Sequence, residues 1–147
     1  IANQIESSFS GTTTSGIPVT TTVDLQIVNS IKDVDQSDHL IYLSNGATLE
    51  DGSAAQGNVK DFGKMKAWVD AALFKGPYDT WRKTGAKVAA HEMGHLLGLR
   101  HDGHLNNLMR SPRFGTNISS KQLSSIVKDL QYDQKVTDPR LHLLNKK

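Results

Sequence analysis

The residues with the clearest chemical potential lie in one segment, which reads HEMGHLLGLRHD over residues 91–102. His91 and His95 are four positions apart, and on a helix this spacing places both imidazoles on nearly the same face. Two such nitrogens can bind one Zn²⁺ at about 2.0–2.1 Å. Gly98 lets the chain leave the helix abruptly, so that His101 can turn back as a third ligand. Three neutral histidines leave a fourth tetrahedral position for water, the arrangement of a catalytic rather than a structural zinc site.

Glu92 follows the first histidine and lies at the edge of the same helix face, displaced from the ligands. Zinc lowers the pKa of a water that it holds toward ~7, and Glu92 is placed to accept the proton. We therefore interpret the segment as a catalytic metal site, and not as the ordinary surface or core histidines of an amphipathic helix. His104 is the alternative to His101 as third ligand, although its spacing does not fit the pattern.

The segment resembles the zinc signature of the metzincin metalloendopeptidases, H-E-x-x-H-x-x-G-x-x-H followed by a methionine-containing turn. The matching residues are His91, Glu92, His95, Gly98 and His101, with Asn107–Arg110 as the candidate turn. The resemblance implies that Met109 lies beneath the metal as a hydrophobic base and does not bind it. It also implies zinc as cofactor, a protein or peptide substrate, Glu92 as general base, and a two-lobed fold with a cleft between a twisted sheet and a C-terminal helix.

The sequence mixes features of different metzincin groups. His101 is followed by Asp102, as in the adamalysin-like group, but those proteins usually carry disulfides and this chain has no cysteine. The segment Leu108–Pro112 is closer to the matrixin pattern. Ser111 occupies the position at which astacins and serralysins carry a metal-binding tyrosine. These features suggest a divergent, minimal, microbial member.

The segment after the methionine predicts a substrate preference. In the resembling family this stretch lines the pocket for the substrate side chain just after the cleaved bond. Here Pro112 stiffens the backbone and Phe114 supplies an apolar surface, so we expect a hydrophobic residue in that pocket. Arg110 or Arg113 would favour an acidic residue instead if its guanidinium pointed inward.

Hydrophobic spacing predicts the elements that position this site. Residues Ile1–Phe9 suit a short helix, and the alternation over Ile17–Val28 is typical of a half-buried strand. A second strand is predicted at His39–Ser44, closed by the turn signal Asn45-Gly46. Met65–Phe74 is ambiguous between strand and helix, and we favour a strand.

Two longer helices follow these strands. The first, Thr80–Leu99, contains the histidine motif and ends near Gly98. The second, Ser119–Tyr132, begins with a capping box in which Ser119 precedes Gln122 by three positions. Strands followed by helices predict an α+β fold, and the resemblance specifies a twisted, mostly parallel sheet with an active-site helix and a C-terminal helix.

Length and composition restrict the alternatives. The 147 residues suit a single domain, here a metalloprotease catalytic domain over residues 1–147. A net charge of +2 is too small to indicate nucleic-acid binding, and no apolar run approaches the ~20 residues of a membrane span. The start at Ile1 suggests an excised or processed product, and we expect a secreted protein.

Two other functions stay open at this point. One is a catalytically idle zinc-binding or adhesion module that retained the fold, and the other is a toxin domain of a larger secreted polypeptide. A second metal site could also form from acidic residues near the second strand, where a plain solvated loop is the alternative. The residues in question are Asp33, Asp35, Asp38 and His39.

Overall fold

The computed structural model describes residues 1–34, 38–48, 52–59, 66–75, 79–111 and 115–135. Within these ranges the chain forms three α-helices: α1 (Ala2–Phe9), α2 (Asp79–Leu96) and α3 (Ser120–Lys135). None of these helices combines the length and the apolar character needed to span a membrane. Together with a small twisted sheet they make a mixed structure, which confirms the α+β prediction.

The strands are short and pair locally. In chain order they are β1 (Gly11–Thr12), β2 (Pro18–Val19), β3 (Leu40–Ser44), β4 (Ala47–Thr48), β5 (Ala54–Ala55), β6 (Gly57–Asn58) and β7 (Lys66–Asp70). The main sheet has the order β3-β7-β6, while β1 with β2 and β4 with β5 form antiparallel ladders of two residues. β3 and β7 are parallel over five residue pairs, and β6 is antiparallel to β7 over two. Most pairing in the main sheet is therefore parallel, as predicted.

The central strand β7 connects the sheet to the helix that carries the histidine motif. Ala67 and Val69 are alternate residues of β7 and both are fully buried. Val69 packs in one apolar cluster with Val88 and Ala89 of α2. The small side chains of α2 at this point let the helix lie close against the sheet.

The ambiguous segment Met65–Phe74 divides into two structures. Lys66–Asp70 forms β7, and Ala71–Phe74 is a short 3₁₀ turn. The carboxylate of Asp70 accepts the N–H of Ala72 at 2.9 Å, which caps that turn and ends the strand. The prediction of a strand is thus correct for the first half of the segment, and Met65 lies outside the described residues.

The predicted strand over Ile17–Val28 is wrong beyond its first residues. Only Pro18–Val19 is a strand, and residues 20–28 have no regular structure. The N–H of Val23 donates to the carboxylate of Glu6 in α1 at 3.0 Å, so this backbone group bonds to a helix side chain and not to a sheet. Alternation of polar and apolar residues cannot by itself supply a partner strand.

The N-terminal and C-terminal helices form the core beneath the motif. Ile5 and Phe9 of α1 are buried together with Ala90 of α2, Met109 and Ile126 of α3. The apolar spacing that predicts α1 and α3 is therefore realised as one shared cluster.

The capping box at the start of α3 is confirmed. The N–H of Gln122 donates to Oγ of Ser119 at 3.2 Å, and Oε1 of Gln122 accepts the N–H of Ser119 at 2.8 Å. These reciprocal bonds satisfy backbone donors that a helix start leaves without a partner. They also fix the residues that lead into α3, next to the methionine-containing turn.

Candidate metal centre

The second half of α2 presents two histidines to the interior. His91 and His95 are both buried, and their ring centroids are 4.7 Å apart in an edge-to-face arrangement. This is the neighbouring placement that a spacing of four predicts for a helix. The two rings therefore lie on the core side of α2 and close together.

The end of α2 brings the third histidine back toward the first two. Gly98 has φ +83°, a left-handed conformation that is costly for residues with a Cβ. The N–H of Gly98 donates to the His95 carbonyl at 3.0 Å, and the N–H of Leu99 donates to the Gly94 carbonyl at 2.9 Å. This is the Schellman pattern of a helix C-terminus. The helix consequently ends at Leu96, three residues before the predicted end.

The three histidines form a cluster that can hold a metal ion. One candidate ligand atom from each of His91, His95 and His101 lies within 4.8 Å of the others. Nε2 of His95 and Nε2 of His101 are 3.2 Å apart. Two nitrogens on a tetrahedral zinc ion would be about 3.3–3.4 Å apart, since each Zn–N bond is about 2.0–2.1 Å. The donor set and this spacing fit Zn²⁺.

Backbone carbonyls orient two of the three rings. Nδ1 of His91 donates to the carbonyl of Leu108 at 2.8 Å, and Nδ1 of His95 donates to the carbonyl of Leu99 at 2.7 Å. A carbonyl can only accept, so these bonds place the proton on Nδ1 and leave Nε2 as the unprotonated ring nitrogen, the form that can bind a metal. Such outer contacts fix the tautomer and the orientation of metal-binding histidines. The sequence pattern identifies the rings but gives no sign of these carbonyls.

Burial keeps the two interior histidines neutral. It lowers the pKa of His91 to about 4, and it also lowers the pKa of His95. The hydrogen bonds to backbone carbonyls act in the opposite direction but are the smaller effect. Because neutral imidazole is the form that binds a metal, both rings are ready to bind at neutral pH.

The third ring gives the cluster its access to solvent. His101 is exposed whereas His91 and His95 are buried. An ion or a small molecule can therefore reach the cluster on the side of His101.

Glu92 follows His91 in α2 and is buried. Its side chain is 4% exposed, and Oε2 has no hydrogen-bond partner among the described residues. Burial raises the pKa of the Glu92 carboxyl from 4.5 to about 8. A nearby cation favours the charged form and would lower that pKa again. A buried carboxyl oxygen without a hydrogen bond is costly, which is characteristic of a functional group.

The strand that faces Glu92 was not expected from the sequence. Residues 50–63 are rich in glycine and aspartate and indicate a loop, yet Gly57–Asn58 forms β6. A Cβ at Gly57 would lie 2.6 Å from Oε1 of Glu92, so the missing side chain leaves room for the carboxylate. A glycine in a polar segment carries no signal of such a contact.

The burial of Glu92 should affect how the free energy of unfolding of the metal-free protein depends on pH. Between pH 4.5 and about 8 the unfolded chain releases the Glu92 proton while the folded chain keeps it. The folded state then binds more protons, so its stability falls as the pH rises through this range. His91 and His95 act in the opposite direction below pH 6.5, which makes the Glu92 effect clearest above that value.

We therefore expect Glu92→Gln to gain stability over the parent chain as the pH rises, by at most about 1.4 kcal/mol per pH unit. Urea unfolding in the presence of a chelator, from below pH 5 to above pH 8, measures the difference. Identical pH dependence in the two proteins would contradict the buried, protonated state of Glu92.

Met109 lies in the core against the histidine-bearing helix, and its position beneath a metal stays a prediction. Its side chain is fully buried and belongs to the cluster that includes Phe9 and Ala90. A Cβ at Gly94 would lie 2.3 Å from Sδ of Met109, so the thioether rests directly on the helix backbone between the two histidine turns.

His104 does not join the cluster. The ring of His104 is 88% exposed, and its Nδ1 donates to Oδ1 of Asp102. The backbone N–H of His104 donates to the same oxygen at 2.9 Å. These two bonds lower the pKa of the Asp102 carboxyl. Of the two alternatives for the third ligand, the structure brings His101 to the site.

Several expected site residues lie outside the described ranges. Pro112 and Phe114, predicted to line the substrate pocket, are among them, as is Asp35 of the suggested second metal site. The residues that line the substrate pocket therefore stay a prediction.

The resemblance implies that a strand at the rim of the cleft pairs with extended substrate, and the sequence suggests Leu40–Asn45 or Met65–Val69 for this edge. The second choice is wrong. β7 lies in the middle of the described sheet, paired with β3 and β6, and so cannot supply a free edge. The edge strands of that sheet are β3 and β6, and β6 is the one beside Glu92.

Comparison with known families agrees with this geometry. A family model described as metallo-peptidase family M12B, reprolysin-like, matches residues 43–102, which is less than half of the chain. The match includes the three histidines and Glu92 but ends before Met109. Comparison with curated proteins and with solved structures finds no match. The family match and the histidine triad fit a metzincin-type zinc site, and they support a zinc-dependent peptidase at the level of the family.

Proposed function

We propose that this chain is a zinc-dependent endopeptidase in which Glu92 is the general base. The observation that carries the proposal is the buried carboxyl of Glu92, whose Oε2 has no hydrogen-bond partner among the described residues, on the same helix as two of the three clustered histidines. A structural metal site, whose coordination positions are all filled by protein ligands, needs no additional buried carboxyl group. Hydrolysis does need a group of this kind, because a proton must be taken from the attacking water.

In this proposal the Nε2 atoms of His91, His95 and His101 hold the metal. A zinc ion bound there supplies Lewis acidity, which polarises the scissile carbonyl and lowers the pKa of water. The neutral state of His91 and His95 and the Nδ1 contacts to backbone carbonyls support this ligand set.

Glu92 moves the proton during hydrolysis. As the water oxygen attacks the carbonyl carbon, the carboxylate of Glu92 takes a proton from that water. The same group then gives the proton to the amide nitrogen as the C–N bond breaks, which leaves a carboxylic acid and an amine. A carboxyl whose pKa can approach neutrality is suited to both steps.

The proposal treats residues 1–147 as one catalytic domain that acts on protein or peptide substrates. Its support is the apolar cluster shared by α1, α2 and α3, in which Ile5, Ala90 and Ile126 are buried together. The helices at both ends of the described chain thus contribute to the core under the metal centre.

Cleavage of casein with and without a chelator tests the function. We expect cleavage that the chelator abolishes and that added Zn²⁺ restores. A folded protein that binds zinc but cleaves no protein or peptide would contradict the proposal and favour the idle zinc-binding module.

Gly57→Ala tests the position of the Glu92 carboxylate. The new Cβ would lie 2.6 Å from Oε1 and 2.8 Å from Cγ of Glu92, so the carboxylate must move. Misplacement of a catalytic group by about 1 Å can cost up to about 10²-fold in rate. We therefore expect slower peptide cleavage with an unchanged zinc content, measured by a fluorogenic peptide assay and metal analysis.

Gly11→Ala is a matched control on a remote strand, because its Cβ would make only an ordinary contact of 3.6 Å with Leu123. Parental cleavage rates in both alanine variants would show that β6 does not position Glu92.

A further inference from the structure

The turn that carries Leu108 and Met109 is attached to the start of α3 through the side chain of Asn107. Oδ1 of Asn107 accepts the N–H of Met109 at 2.8 Å, and Nδ2 donates to Oε1 of Gln122 at 2.8 Å. Asn107 is 6% exposed, so both bonds are largely shielded from water. Bonds of this kind are costly to leave unmade.

Backbone N–H groups fix the orientation of both amides. The N–H of Met109 can only donate, so it must face the oxygen of Asn107 and not the nitrogen. Oε1 of Gln122 also accepts the N–H of Ser119 at 2.8 Å, so this atom must be an oxygen. The amide of Asn107 therefore has to donate to Gln122 and accept from Met109 at the same time, which an aspartate or an alanine cannot do.

The turn is in direct contact with the metal centre. The carbonyl of Leu108 accepts Nδ1–H of His91 at 2.8 Å, and the side chain of Met109 rests against Gly94. On its other side, the N–H of Leu108 donates to the carbonyl of Asn117 at 2.8 Å. A shift of this turn would move the group that orients the His91 ring.

We propose that Asn107 is a positioning residue of the metal centre, because its amide fixes the turn against the cap of α3 and, through the Leu108 carbonyl, fixes the ring of His91. The inference rests on the proposed function only in taking His91 as a metal ligand. It does not depend on whether the loaded protein cleaves peptides.

Zinc affinity of Asn107 variants tests the proposal. Asn107→Ala removes both bonds, and Asn107→Asp keeps the acceptor for Met109 but loses the donor to Gln122. Changes in groups that orient metal ligands typically weaken metal binding by about 10–100-fold. We expect the Zn²⁺ Kd of both variants to rise by about tenfold or more, measured by competition with a chromophoric chelator, together with altered absorption bands of the Co²⁺-substituted protein.

Variants of α3 separate positioning from general stability. Gln122→Ala should weaken zinc binding as Asn107→Ala does, whereas Gln122→Glu should retain parental affinity because a carboxylate still accepts from Asn107 and Ser119. Ser124→Ala is the matched control on the same helix. It removes a contact with the N–H of Thr14 at 2.9 Å but none with the turn, so its zinc Kd should not change.

A zinc Kd within about twofold of the parent in Asn107→Ala and Gln122→Ala, with an unchanged Co²⁺ spectrum, would overturn the proposal. Equal weakening in Ser124→Ala would overturn it too, since the effect would then be a general loss of stability. If Asn107→Ala does not fold, Asn107→Asp and Gln122→Ala decide by the same criteria. Failure of the proposed peptidase function looks different: the parent would bind zinc without cleaving peptides, while the Asn107 variants would still bind zinc more weakly.

Discussion

Glu92→Gln is expected to cleave peptides about 10²–10⁴-fold more slowly than the parent chain while it still binds one zinc ion. Glutamine occupies nearly the same volume as glutamate but cannot take a proton from water. No structural hydrogen bond is lost at Oε2, because that atom has no partner among the described residues. The loss of rate should therefore arise from chemistry and not from misfolding. A fluorogenic peptide assay and elemental analysis measure the two quantities.

Glu92→Ala should lose activity to a similar extent. This second variant removes the carboxyl group without introducing an amide in its place. Parental cleavage by either variant would show that another group takes the proton. Loss of zinc from Glu92→Gln would contradict the assignment of Glu92 as a base outside the ligand set.

His101→Ala is expected to lose most of its zinc and, with it, all metal-dependent cleavage. The variant removes one of the three proposed ligands, and changes outside a ligand set already cost about 10–100-fold in metal affinity. The loss for a direct ligand should exceed about 100-fold. Since His101 is exposed, its replacement leaves no cavity and should disturb folding little. Metal analysis after gel filtration without added zinc measures the result.

His104→Ala is the matched control, because His104 is a neighbouring exposed histidine that contacts Asp102 and not the cluster. It should keep one zinc ion per chain. Full zinc retention in His101→Ala combined with zinc loss in His104→Ala would move the third ligand to His104.

The sequence predicts the grouping of the three histidines because their spacing follows from helix geometry. A separation of four residues places His91 and His95 on one face, and a left-handed Gly98 ends the helix in time for His101 to return. The capping box at Ser119 is equally local. Each of these features depends on bonds between residues a few positions apart.

Long-range contacts account for what the sequence does not predict. Leu108 orients the His91 ring through its backbone carbonyl, and that atom is common to every residue type. Gly57 makes room for Glu92 from a strand more than thirty positions away. The Ile17–Val28 strand was wrong for a related reason, since a strand needs a partner and the backbone of Val23 bonds to Glu6 instead. Hydrogen bonds between a side chain and a distant backbone group leave no periodic pattern in the sequence.

Titration of the metal-free chain with Zn²⁺, with peptide cleavage as the readout, tests the central claim most directly. In the proposed mechanism the three-histidine cluster and Glu92 act together, so cleavage should be absent without metal, rise in proportion to added zinc and level off at about one equivalent per chain. Cleavage at full rate in the metal-free protein, or no cleavage after one equivalent has bound to the cluster, would contradict the account.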